Sequence, residues 1–386
     1  MNKAAGLIAL VLLAGPVRAE TLSTDKALDA RVDAAVMKLM DEKKTVGAEV
    51  GVMRDGKMIL AKGYGLANLE LGVPVKPDTV FRIGSITKQF TAAALLMLAE
   101  EKKLSVDDKL SKYFPDFPRA DEVTLRMVLN HTSGLHNYTD PKADIDQHKD
   151  MTTAEMVRNI QRLSPLYDFE PGTQYHYSNS GYFLLGAIVE KMAGQPLGPF
   201  LKARIFDKQG LSRTAMDEVS AIVPGRASGY DLVKDTKGEF RNTTYASMTW
   251  PAGAGAMRST VGDLAKWHDA LFNGKVLKPE TFADMTAPGR YKNGEVLNTR
   301  AAGSRPPPAI NPIGVPGGGG SGRMERVFVT RDISLSGYPP KEQRFPPLCR
   351  YIFHAQGRRH RGYPRPRPSR PHRAEPPAPP QPRVRG

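Results

Sequence analysis

The chain has 386 residues, 25% charged and 40% hydrophobic, enough for one large core or for two lobes around a cleft. Its net charge of +15 suggests an anionic partner. However, residues 299–386 hold 17 Lys and Arg against 4 Asp and Glu, so residues 1–298, the body of the chain, are nearly neutral. A nearly neutral body is not typical of a nucleic-acid-binding domain. The single cysteine, Cys349, excludes a disulfide within the chain.

Residues 1–19 have the pattern of a secretory signal peptide. A positively charged start at Lys3 is followed by an apolar run over residues 4–17 and a cleavage-like end at Ala19. The apolar run is too short to span a bilayer. We therefore expect a periplasmic or secreted protein with no transmembrane segment after signal removal.

The next segments predict a helix and then a β-hairpin. Residues 27–44 carry apolar side chains at helical spacing. Two strand-like runs, 47–53 and 57–63, flank Asp55 and Gly56, which form a typical two-residue turn. These two strands need a larger sheet to join.

A serine and a lysine three residues apart stand before a buried helix. The sequence from Ser85 to Lys88 reads Ser-Ile-Thr-Lys, and the apolar run over 91–98 predicts a helix buried on most sides. A helix starting near Ser85 places the Lys88 amine one turn later, within reach of the hydroxyl. A serine hydroxyl is a weak nucleophile that needs such a base, and the amine can serve only if its pKa is lowered. An N-cap serine followed by a surface lysine is the alternative interpretation.

Two polar segments further along the chain could contribute to the same site. His131 lies in a turn after a helical run and has no acidic partner nearby in the sequence, so we favour a structural, hydrogen-bonded histidine over a catalytic base. Tyr177 and Asn179 precede an apolar helix over 183–192 and could present a phenol and an amide to a cleft. The alternative is a packed tyrosine and a helix-capping asparagine.

The last segments of the body predict close backbone packing and one more helix. Residues 252–257 are small, as expected where the backbone passes close to a neighbour. Thr260 and Asp263 form a capping-box-like pair at the start of a helix that runs to Leu271. Trp267 lies on its apolar face, where we expect core packing.

The Ser85–Lys88 motif, with the Tyr-Ser-Asn of Tyr177–Asn179 about 90 residues later, resembles the serine β-lactamase and penicillin-recognising enzyme superfamily. The similarity is to its class C-like branch, which also contains DD-peptidases, D-aminopeptidases and family VIII esterases, and it covers residues 27–298. The resemblance implies a β-lactamase/transpeptidase-like α/β fold for residues 20–298. In such a fold we expect an antiparallel sheet flanked by helices, with an all-helical lobe beside it.

The resemblance also implies an acyl-enzyme mechanism. Ser85 would attack a carbonyl, Lys88 would accept its proton, and Tyr177 would act as a phenolate or proton shuttle toward the leaving group. A phenolate requires a close cation such as Lys88 to lower the tyrosine pKa. Asn179 would hydrogen-bond Lys88 or the substrate.

These roles predict a serine hydrolase acting on a β-lactam, a D-amino acid peptide or a small ester, or on another peptidoglycan-derived molecule. The alternatives are a penicillin-binding or peptidoglycan-sensing protein with little turnover, and an inactive remnant. We expect a monomer without a nucleic-acid partner or cofactor, and the histidines form no metal-ligand pattern.

The sequence departs from the family pattern after residue 298. A Lys-Thr-Gly or His-Ser/Thr-Gly motif should lie near 310–325, but only Ser321, between two glycines, offers a possible substrate-binding match. Residues 299–386 are rich in Pro, Arg and Gly, show no strand or helix pattern, and are expected to be disordered. We hypothesise a shifted reading frame near Arg300. The rival hypothesis is a genuine basic tail that binds anionic partners.

Overall fold

The computed structural model describes residues 21–23, 26–41, 45–54, 56–233, 236, 238–297 and 325–331. Its strands in chain order are β1 Thr21–Ser23, β2 Gly47–Arg54, β3 Lys57–Asn68, β4 Val73–Pro74, β5 Phe81–Arg82, β6 Ala215–Met216, β7 Tyr230–Leu232, β8 Phe240–Asn242, β9 Met257–Ser259 and β10 Glu325–Arg331. The α-helices are α1 Lys26–Asp41, α2 Thr87–Glu100, α3 Leu125–Leu129, α4 Thr153–Gln161, α5 Asn179–Ala193, α6 Leu197–Leu201, α7 Asp207–Gln209, α8 Ala252–Gly255, α9 Val261–Phe272 and α10 Pro279–Thr286. Short 3-10 turns span Gly84–Ile86, Leu110–Lys112 and Pro141–Ala143, and a π-helical turn spans Lys202–Phe206.

The main sheet is antiparallel and is built around the predicted hairpin. Its strand order is β1-β3-β2-β10, with β4 paired to the far part of β3. Arg54 pairs with Lys57 at the hairpin end, and Gly56 has a φ of 74°, which suits the turn. Helix α1 covers one face through an apolar cluster with β2 and β3 that includes Leu28, Val32, Val36, Val50, Val52 and Leu60. The predicted first helix and hairpin are confirmed.

Strand β10 lies in the part of the chain for which no strand was expected. It pairs with β2 in antiparallel register, from Glu325 opposite Arg54 to Arg331 opposite Ala48. The expectation is therefore wrong for residues 325–331. The run contains two valines, a phenylalanine and a threonine, which favour a strand once a neighbouring edge offers hydrogen bonds. The predicted signal peptide, Ser321 and the remainder of the tail lie outside the described residues.

The helical part of the fold surrounds α2. Phe90, Leu95 and Leu98 of this helix are completely buried in the largest apolar cluster, which also takes in most of α5. Trp267 of α9 stacks on Phe90 with ring centroids 4.1 Å apart. The core-packing role predicted for Trp267 is thus confirmed. Helices and antiparallel sheets together give the expected α/β architecture.

The predicted small-residue stretch forms α8 and passes close to α5. A Cβ atom on Gly253 would lie 3.1 Å from the Gly186 Cα atom and 3.1 Å from the Tyr182 carbonyl oxygen. Only residues without a Cβ allow the two backbones to approach this closely. This contact holds the carbonyl groups of α8 beside the start of α2.

Two further features concern the described part of the chain alone. None of its helices combines the length and the apolar character needed to cross a bilayer. Its His, Cys, Asp and Glu side chains include no cluster of three that could hold a metal ion.

Candidate active site

Ser85 lies in the 3-10 turn that joins β5 to α2. The Ile83 N–H donates to the Met257 carbonyl at 2.9 Å, and the Thr87 hydroxyl donates to the Gly84 carbonyl at 2.6 Å. These bonds tie both sides of the turn to β9 and to α2. The turn is therefore held rigidly, with the Ser85 side chain half-buried at its centre.

The amine of Lys88 is completely buried and has three oxygen neighbours. Its Nζ atom lies 3.1 Å from Ser85 Oγ, 2.7 Å from Asn179 Oδ1 and 2.7 Å from the Ala254 carbonyl oxygen. The structure therefore brings together the serine and lysine that the helical spacing predicted. The interpretation of Lys88 as a surface residue is wrong.

The neutral form of Lys88 fits this environment. Burial lowers the lysine pKa well below its ordinary value of 10.5. A neutral amine has two N–H groups, which match the two obligate acceptors Asn179 Oδ1 and the Ala254 carbonyl. Its lone pair then faces the Ser85 hydroxyl, which can donate to it. This arrangement suits the proton-accepting role predicted for Lys88.

Tyr177 reaches the same hydroxyl from the loop before α5. Its Oη atom donates to Ser85 Oγ at 2.6 Å, and its ring lies under the Lys88 amine, with Nζ 4.7 Å from the ring centroid. Ser85 Oγ can therefore accept a hydrogen bond from Tyr177 while its own hydroxyl donates one to Lys88. A proton can pass between these three groups without any large movement.

The phenolate form suggested for Tyr177 is not supported. Burial raises the tyrosine pKa above its ordinary value, and the hydrogen bond with Ser85 offsets only part of this rise. A neutral Lys88 supplies no positive charge to stabilise a phenolate, and it lies over the ring rather than beside the oxygen. The proton-shuttle form of the prediction remains, with Tyr177 as a neutral phenol.

Asn179 orients Lys88 and is itself held on two sides. Its Nδ2 group donates to the Thr139 hydroxyl at 3.1 Å, and its backbone N–H donates to Asn137 Oδ1 at 3.0 Å. These bonds point Oδ1 at the amine. The helix cap is Ser178, which accepts from the Gly181 N–H, so the alternative role of Asn179 as a cap is wrong.

Some residues of the site were not identified from the sequence. The Ala254 carbonyl has no side-chain signature, although the small-residue stretch marked a close backbone approach. Thr139 gave no signal, because its contact with Asn179 spans 40 positions. The predicted site residue Ser321 lies outside the described residues, and its role remains a prediction.

His131 is buried and hydrogen-bonded, as predicted. Its Nδ1 atom accepts from the Ser178 N–H at 3.2 Å. Burial, with smaller effects of Lys88 and His176, lowers the histidine pKa to about 3. Both features indicate a neutral imidazole, which lies beside the Tyr177 ring.

Comparisons with known proteins show what the whole chain is similar to. The family model described as Beta-lactamase matches residues 32–316. Penicillin-binding protein 4* of Bacillus subtilis is 30% identical over 270 residues, covering 67% of this chain and 59% of that protein. Esterase EstB of Burkholderia gladioli is 29% identical over 309 residues, covering 72% and 78%.

A solved structure extends the similarity to an amidase. The D-amino acid amidase of Ochrobactrum anthropi SV3, complexed with D-phenylalanine, superposes with a TM-score of 0.59 and 26% identity, covering 68% of this chain and 77% of that one. The chain spans 57% to 61% of the length of several curated relatives that it matches, penicillin-binding protein 4* among them.

Proposed function

The chain belongs to the beta-lactamase family, and we propose that it is a serine hydrolase that works through an acyl-enzyme. The observation that carries this proposal is the position of Ser85 Oγ, which lies 3.1 Å from the buried Lys88 amine and 2.6 Å from the Tyr177 hydroxyl. A nucleophile, a base and a proton donor are therefore in contact before any substrate binds.

Acylation begins with attack by Ser85 Oγ on a substrate carbonyl carbon. The hydroxyl proton moves to Lys88 Nζ, and Tyr177 delivers a proton to the departing oxygen or nitrogen as the carbonyl–leaving-group bond breaks. Lys88 then returns a proton to Tyr177 directly or through a water molecule, because the acylated Ser85 oxygen carries no hydrogen to pass on. In deacylation, a water attacks the ester carbon, loses a proton to the same base, and Ser85 Oγ regains its hydrogen.

The proposed substrate is a small ester or a D-amino acid amide, with a β-lactam as the third candidate. EstB is an esterase by name, and the Ochrobactrum protein is a D-amino acid amidase. All three substrate types present a carbonyl with one leaving group, which is what the three catalytic side chains require. We further propose that the protein acts after export, in the periplasm or outside the cell, in line with the signal-like residues 1–19.

Labelling and turnover test this function on the full chain. We expect a fluorophosphonate probe to label the native protein and to leave Ser85→Ala unlabelled. A short-chain nitrophenyl ester, a D-amino acid nitroanilide and a chromogenic β-lactam, compared side by side, then identify the substrate. Equal labelling of Ser85→Ala and the native protein would refute the assignment.

The similarity to penicillin-binding protein 4* favours one second function. A penicillin-binding protein would be acylated by a β-lactam and would then barely turn over. A stoichiometric burst without a steady state, with all three substrates, would establish this function in place of hydrolysis.

A further inference from the structure

His131 accepts hydrogen bonds from the residues on both sides of Tyr177. Its backbone carbonyl accepts from the His176 N–H at 3.0 Å, and its Nδ1 atom accepts from the Ser178 N–H at 3.2 Å. The residues before and after Tyr177 are therefore bonded to the same histidine. These two bonds fix the backbone from which the phenol projects.

The ring of His131 also contacts the ring of Tyr177 directly. Their centroids are 4.7 Å apart with an angle of 31° between the planes, and Tyr182 lies at 5.1 Å from the imidazole. The imidazole thus restricts the rotation of Tyr177 as well as its backbone. Among the described residues, His131 Nε2 has no hydrogen-bond partner, so the Nδ1 bond and the stacked rings set the ring orientation.

The protonation state agrees with this arrangement. Nδ1 can accept from Ser178 only when it carries no proton, and a neutral imidazole then has its hydrogen on Nε2. Burial keeps the ring neutral, as its lowered pKa indicates. A cationic ring would carry a hydrogen on Nδ1 and would lose the Ser178 bond.

The backbone of His131 explains which residues can replace it. Its φ is 61°, in the left-handed region, where Asn and Gly are tolerated and most other residues are strained. Asn can also place an acceptor oxygen near the position of Nδ1. Asn and Gly both tolerate this backbone conformation, but only Asn keeps a hydrogen-bond acceptor at the position.

We propose that His131 is a positioning residue for the acyl-transfer reaction, holding the Tyr177 hydroxyl at hydrogen-bond distance from Ser85 Oγ. The inference rests on the proposed function. It assigns to His131 a role that acts through Tyr177, without contact between the imidazole and the substrate.

A double-mutant cycle on the full chain tests the proposal. The rate constant of fluorophosphonate acylation and the probe concentration at half-saturation are measured for the native protein, His131→Gly, Tyr177→Phe and the double variant. His131→Asn tests rescue. Tyr113→Phe is the matched control, since it also removes one hydrogen bond, that from Tyr113 Oη to Asp108 at 2.6 Å.

We expect His131→Gly to lower the acylation rate constant about tenfold or more, because a displaced Tyr177 hydroxyl slows the chemical step. The probe concentration at half-saturation should change less than about twofold. In the Tyr177→Phe background the same substitution should change the rate less than about threefold, since its effect acts through the missing hydroxyl. His131→Asn should recover most of the rate, and Tyr113→Phe should retain it. Losses that multiply in the double variant, or equal losses in the Asn and Gly variants, would overturn the proposal.

Hydrogen exchange gives a readout that needs no activity. Loss of the acceptor should speed exchange of the Ser178 amide about tenfold in His131→Gly and much less in His131→Asn. If the native protein is not labelled at all, the proposed function fails. The contact between His131 and Tyr177 is then tested by the Ser178 exchange rates and by the melting temperatures of the four proteins in the double-mutant cycle. Unchanged exchange, or melting shifts that add, would then refute it. Should His131→Gly fail to fold, His131→Ala replaces it, because alanine also lacks the acceptor and is the smallest of the remaining side chains at this backbone conformation.

Discussion

Replacing Asn179 by Asp places a carboxylate on the buried base and should shift the pH dependence of the reaction. The substituted oxygen would lie 2.7 Å from Lys88 Nζ. At an effective dielectric constant near 20, two charges at that distance attract by about 6 kcal/mol, equivalent to about four pKa units. The cost of burying the second charge offsets several kcal/mol of this attraction, leaving a rise of about two units in the Lys88 pKa.

Only neutral Lys88 can accept the Ser85 proton, so the rate rises with pH through the lysine pKa. A higher pKa therefore moves the acid limb of kcat/KM toward alkaline pH by about two units, with activity restored at the top of the profile. The assay is hydrolysis of a nitrophenyl ester from about pH 5 to about pH 10. Circular dichroism verifies the fold at each end of that range.

Asn179→Ala is the matched control for the added charge. It removes the acceptor without adding charge, so the ammonium form of Lys88 loses a partner and its pKa should stay or fall. The acid limb of this variant should not move to higher pH, although the rate falls at every pH. An unmoved limb in Asn179→Asp, or the same alkaline shift in both variants, would refute the assignment of Lys88 as base.

Three further predictions follow from the same contacts. Tyr177→Phe should slow acylation of the ester about 100-fold in stopped-flow assays without loss of secondary structure, because only the proton donor is removed. Relative to Lys88→Met, the native chain should gain about 1.4 kcal/mol of unfolding free energy per pH unit as the pH rises toward 10.5. The reason is that Lys88 binds a proton in the unfolded chain that it does not bind when buried. Urea unfolding at several pH values measures this gain. Asp217→Asn should lower the unfolding free energy by about 3 kcal/mol, since its buried carboxylate bonds Arg82 at 2.7 Å and Arg258 at 3.0 Å.

Local patterns in the sequence predicted the elements that depend on near neighbours. The hairpin followed from two strand-like runs around Asp55 and Gly56, and the helices followed from apolar spacing. The pairing of Ser85 with Lys88 was also predictable, because residues three apart on a helical turn share one face. The strand at 325–331 was missed because its partner, β2, lies more than 270 positions earlier in the chain.

The sequence by itself determined that a serine and a lysine would stand one turn apart at the start of a buried helix, since helical geometry fixes that distance wherever the helix lies. Only the tertiary structure decided that the pKa of the amine would be lowered. That depends on burial and on acceptors brought from Asn179 and Ala254, which lie 91 and 166 positions away. The raised pKa of Tyr177 was decided in the same way. A pKa depends on the water and charges around a group in space, and neither is written in the residues adjacent to it along the chain.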